Sequence, residues 1–60
     1  MVPDVEYYSR RAREEREATL RSAHPAVREI HRQLAEAYEL RVRSLSAEVR
    51  RLAMRLVTAA

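Results

Sequence analysis

The step His24-Pro25 is the only interior interruption in a 60-residue chain that contains no glycine. Proline drives the residue before it out of helical geometry. It is itself well suited to the first position of a new helix. The step therefore predicts one all-α domain over 1–60. Helix one covers about 4–22, the turn 23–24, and helix two about 25–58. A connection this short predicts two unequal helices folded back as an antiparallel hairpin. A single kinked helix is the rival arrangement.

Composition supports helices and narrows the chemistry. Ala, Arg, Glu and Leu dominate, and all are good helix formers. No stretch alternates apolar and polar residues as a half-buried strand does. A chain of this length sits near the lower limit for folding alone and usually needs a disulfide, a metal or a partner. There is no cysteine, which removes disulfides and thiolate sites. His24 and His31 are seven residues apart, whereas helical metal pairs are typically four apart, so no metal site or cofactor is expected. Oligomerisation is the route left. The absence of cysteine, of a leader-like start and of an apolar run of about 20 residues predicts a cytoplasmic protein that does not span a membrane.

Helix one opens with Pro3 in its first turn and the anions Asp4 and Glu6 near the positive end of the helix dipole. Its best apolar face collects Val5, Tyr8, Ala12, Thr19 and Ala23, with Glu15 or Arg16 across the gap. That face is thin. The remainder is a dense charge pattern, including Glu6–Arg10 and Glu17–Arg21 four apart in the favourable order. It reads as a solvated, salt-bridged surface.

Helix two is different. Val27, Ile30, Leu34, Tyr38, Val42, Leu45, Val49, Leu52 and Leu56 form a stripe of eight steps averaging about 3.6 residues, close to a straight helix. From Val42 onward the steps alternate three and four, a local coiled-coil seam. At 1.5 Å per residue helix one spans about 28 Å and helix two about 50 Å. Helix one then reaches back only to about Arg43. The expected hairpin core is Tyr8, Ala12, Val27, Ile30, Leu34 and Tyr38. The seam Val42, Leu45, Val49, Leu52 and Leu56 is the expected interface with a second copy, giving a homodimeric four-helix bundle or a higher oligomer. A second line, Leu40, Ala47 and Met54, recurs every seven residues on the opposite side.

Charge is uneven. The net charge is +3, and Arg41, Arg43, Arg50, Arg51 and Arg55 face only Glu48 after residue 39. All 12 basic residues are arginine, scattered in a way that fits a coding bias as well as a demand for guanidinium chemistry. The basic segment has two readings. It meets the acidic run Glu14, Glu15 and Glu17 of a partner chain and fixes register, or Arg43, Arg50, Arg51 and Arg55 contact a polyanion such as nucleic acid. The arginines point several ways round the helix with no aromatic among them, which favours the protein interface. A membrane-surface helix would need a cleaner cationic face.

Tyr8 and Tyr38 fall on inward faces at the same level, so their rings are expected to stack at the open end of the hairpin. Tyr7 is read as a packing residue. His31 sits at the stripe edge, satisfied by water or a carboxylate, and His24 is exposed at the turn. Ser9, Ser22, Ser44 and Ser46 have no activating context, and no glycine loop exists to cradle phosphate. The expectation is a non-enzymatic module for self-association or for binding another protein, with a small basic nucleic-acid-associated regulator as the alternative.

The string Tyr7-Tyr8-x-x-Arg11-Ala12-x-Glu14-Glu15-x-x-Ala18, then Pro25, then Leu34-Ala35-x-x-Tyr38-Glu39-x-Arg41, resembles a group of short alphaproteobacterial proteins. These read aromatic, R-A-x-E, a proline turn, then L-A-x-x-Y-E. The resemblance covers about 7–41 and implies a helical hairpin without implying an activity. The chain departs from the pattern at His24, where Asp before the proline is common, and in its longer C-terminal half.

Overall fold

A computed structural model describes residues 4–59. Two helices account for nearly all of them: α1 (Asp4–Arg21) and α2 (Pro25–Ala59). Pro3, assigned above to the first turn of helix one, lies outside the described residues. The helices form an antiparallel hairpin with long dimensions of 55 × 19 × 13 Å. No strand occurs among the described residues.

The turn is built by three local devices. His24 caps α2: its carbonyl accepts from the Arg28 N–H at 2.9 Å, and its Nδ1 accepts from the Ala26 N–H at 3.2 Å. An imidazole thus does the work usually done by Ser, Thr, Asp or Asn. Pro25 needs no partner at the first helical position. Finally, Arg28 Nη1 donates to the carbonyls of Ser22 at 3.2 Å and Ala23 at 3.0 Å. A cation from the second helix thereby closes the carbonyl end of the first, where the dipole is negative.

The seam between the helices differs from the stripe expected for it. Its buried residues are Ala12, Glu15 and Ala35, with Ala35 fully enclosed. Half-buried Val5, Tyr8, Thr19 and Ser22 continue it on α1, and His31, Tyr38, Val42 and Leu45 on α2. Both sets step by three and four, the heptad spacing of two helices that wrap closely round each other. Of the expected hairpin core, Ala12 is buried and Tyr8 and Tyr38 are half-buried. Val27, Ile30 and Leu34 are corrected: all three are exposed, Ile30 at 57%. The cause lies in what α1 offers. Its inward face carries alanine, glutamate and threonine, which match His31 and Ala35 at close range. Isoleucine and leucine at the same level would hold the helices apart. The seam therefore lies to one side of the apolar stripe, and the stripe flanks the hairpin along its length.

Candidate functional site

The seam is held in register by polar contacts. Glu15 has a side chain only 8% exposed. It accepts from Arg11 Nη2 at 2.7 Å, one turn away on α1. Its other oxygen meets His31 Nδ1 of α2 at 2.6 Å. The hydrogen bond with His31, joined by that from Arg11, holds the Glu15 carboxyl below its ordinary range and overcomes the opposing effect of burial. Thr19 Oγ1 donates to the Glu15 carbonyl at 2.9 Å. His31 is thus satisfied by a carboxylate, one of the two outcomes expected for it.

On one flank Arg16 reaches across to Glu39 as a fork, Nε to Oε2 at 2.8 Å and Nη2 to Oε1 at 2.7 Å. This bidentate geometry is the strong form of the pair. It lowers the Glu39 pKa from its usual value. The pair crosses a shallow groove also lined by Ser9, Arg13, Val42 and Arg43. At the open end Tyr8 and Tyr38 lie with ring centroids 5.8 Å apart, as expected. Tyr7 meets Tyr8 edge-on at 5.2 Å. The guanidinium of Arg11 stands over Tyr38 at 5.2 Å and that of Arg41 over Tyr8 at 5.7 Å. Arg41 therefore belongs to this aromatic cluster and not to the free basic segment.

Beyond the cluster the heptad repeat continues with no helix opposite it. His31, Ala35, Tyr38, Val42 and Leu45 lie inside the hairpin, and Val49, Leu52 and Leu56 extend the same line into solvent. Leu56 is 75% exposed. Val42 and Leu45, expected at the intermolecular interface, are half-covered, since the hairpin ends among them. Val27, Ile30 and Leu34 lie on the shoulder of this line, so exposed apolar side chains stand toward both ends of α2, with the half-covered Tyr38, Val42 and Leu45 between them. Leu40 and Met54, on the far side, are exposed as well.

Charge pairing follows the same division. Glu14 and Glu15 are taken by Arg11, Glu29 and Glu36 by Arg32, and Glu39 by Arg16. Of the acidic run Glu14, Glu15 and Glu17, the first two thus have arginine partners within the chain. Among the described residues Arg43, Arg50, Arg51 and Arg55 form no ion pair within the chain. Arg50, Arg51 and Arg55 surround a shallow depression floored by Ala47 and Met54. Among the described residues no group of three or more His, Cys, Asp or Glu side chains gathers where a metal would sit. Among the described residues no helix is long and apolar enough to cross a membrane.

No family model, curated protein or solved structure matches this chain.

Sequence reasoning did not find the Arg16–Glu39 fork or Ala35 as the centre of the seam. The fork had no visible signal, because its partners are 23 residues apart. Ala35 had one: it completes a three–four spacing with His31, Tyr38 and Val42.

Proposed function

We propose that this chain is a non-enzymatic self-association module of the cytoplasm, a helical hairpin whose exposed α2 face is covered by a second copy in a four-helix bundle. The observation that carries the reading is the set of exposed apolar side chains Val27, Ile30, Leu34, Val49, Leu52 and Leu56 on α2. Full burial of a side chain of this size is worth about 1.5–3 kcal/mol, so finishing the burial of half-covered ones gives roughly 1 kcal/mol each. Six such side chains on each of two chains bring about 12 kcal/mol, within the range of about 4–15 kcal/mol that association costs. Against a cost in the lower half of that range the surplus is about 6 kcal/mol, which places the midpoint of a concentration-dependent dimer in the tens of micromolar. A covered face of this kind also suits a scaffold that presents another protein with two copies of one surface.

Sedimentation at about 50 μM protein tests the proposal. The expected mass is about 14 kDa, twice the 7.0 kDa of the chain. Leu52→Arg places a charge in the middle of the face and is expected to return the mass to a single chain. A wild-type monomer at high micromolar concentration overturns the reading, and so does an unchanged oligomer in the variant.

A further inference from the structure

The segment of α2 beyond the aromatic cluster has two dissimilar sides. One is the apolar line Val49, Leu52 and Leu56. The other carries Arg50, Arg51 and Arg55 around Ala47 and Met54, with Arg43 nearer the hairpin in the groove beside Glu39. These four arginines differ from most in the hairpin. Arg10, Arg11, Arg16 and Arg32 are neutralised by carboxylates within 4 Å. Arg28 is spent on the turn carbonyls, and Arg41 on Tyr8. Glu48, the one acid of the segment, pairs with none of the four. The surplus positive charge of the protein therefore lies on this arm, with three of its arginines around one depression.

We infer that this side is a binding surface for the phosphate backbone of duplex nucleic acid, without base-sequence preference. Guanidinium groups suit phosphate because they present a planar fork of donors and remain charged at any working pH. Arg43 to Arg55 spans 12 helical steps, about 18 Å at 1.5 Å per residue. That length matches about five base-pair rises of 3.4 Å. The arginines are spread along about three to four helical turns with Ala47 and Met54 between them, so they follow a backbone and do not converge on one base edge, and no aromatic side chain of the arm is available to stack on an exposed base. A lipid surface is less well served. An interfacial helix must sink the side opposite its cations into the acyl region, and here that side is the face assigned to the second copy. The inference adds a ligand to the self-association module. The exclusion of a lipid surface rests on that self-association reading, whereas the arginines lie away from the face it covers, so duplex binding and sedimentation mass fail separately.

Fluorescence anisotropy with a labelled duplex of about 20 base pairs tests it. The wild-type chain is expected to bind two duplexes of unrelated sequence equally. Four phosphate contacts predict an affinity loss of about a hundredfold between about 50 and 200 mM salt. The variant R43Q/R50Q/R51Q/R55Q is expected to lose binding by more than about tenfold at low salt, with helix content by circular dichroism and sedimentation mass unchanged. If the fourfold variant does not fold, R50Q/R51Q and R43Q/R55Q are each expected to show part of the loss. R13Q/R21Q removes two arginines of α1 that also lack a carboxylate partner, and is expected to bind as the wild type does. No binding at low salt overturns the inference. So does an equal loss in R13Q/R21Q, which marks a net-charge effect, or binding to vesicles of anionic lipid with none to the duplex.

Discussion

From His31 to Leu45 the heptad positions of α2 hold a histidine, an alanine, a tyrosine, a valine and a leucine, and α1 lies against them. From Val49 to Leu56 they hold only large aliphatic residues, and nothing lies against them. The first stretch buries little apolar surface: its enclosed side chains are two alanines and a glutamate. It is rich in contacts with one correct geometry, such as Glu15 with His31 and Arg16 with Glu39. The second is rich in adhesive surface and has no such contact. Register and adhesion are thus assigned to separate parts of one helix. Polar ties inside a seam cost as much as they return unless their geometry is met, which is why they select one alignment. Aliphatic surface gives affinity without selecting.

Substitutions that exchange the two roles break this contrast most severely. Ala35→Leu inserts a large side chain into the fully enclosed seam position and is expected to destabilise the hairpin by about 1–3 kcal/mol in urea unfolding. Ala53→Leu, the same change in the exposed arm, is expected to leave unfolding unchanged or to strengthen association. Equal effects at both positions would erase the distinction.

Removing the polar tie comes next. Glu15→Ala leaves His31 and Arg11 without their shared acceptor and is expected to cost about 1–3 kcal/mol. It also alters the acid response. The carboxyl of Glu15 has a lowered pKa in the folded chain. Its contribution is therefore complete above the unfolded value of about 4.3 and is lost as pH falls through the folded one. Wild-type stability is expected to drop more steeply than that of Glu15→Ala in this acid range. Parallel curves would show that Glu15 contributes no pH-dependent stability.

The exposed fork is worth less. Arg16→Ala is expected to cost about 0.5–1 kcal/mol, reduced by added salt. Arg50→Ala, in the arm, is expected to stay within about 0.5 kcal/mol of the wild type. The smallest change concerns the cap. His24→Asp supplies a better acceptor for the Ala26 N–H and a charge suited to the helix dipole. It is expected to raise stability by a few tenths of a kcal/mol in thermal unfolding, about the size of a favourable cap exchange.

The helix boundaries and the turn are legible in the sequence because proline imposes them locally. The pairing of Tyr8 with Tyr38 is legible too, since it needs only the turn position and the helical rise. The seam is not, because reading for apolar spacing ranks Ile30 and Leu34 above His31 and Ala35. Burial is decided by what the opposite helix can accommodate, and α1 offers Ala12, Glu15 and Thr19. Glu15 resists reading for a second reason. A glutamate among charged neighbours looks solvated until the histidine 16 residues away is placed beside it. The apolar arm, in contrast, shows itself early: its residues are the ones for which the short helix has no length to spare.

Arg28 has a kinetic consequence. Its contacts join residues only five and six positions apart, so the loop they close is among the least costly in entropy that the chain can form. From there His31 meets Glu15 and Tyr38 meets Tyr8, each pair needing the loop inside it to be closed already. The hairpin is expected to fold as a zipper, quickly and from the turn outward, as chains dominated by local contacts do. Damage at Arg28 would then slow folding, while damage at Tyr8 or Tyr38 would hasten unfolding. The arm has no intramolecular pairing to wait for; in the self-association proposed above it is the last part to find its place, by collision with a second copy.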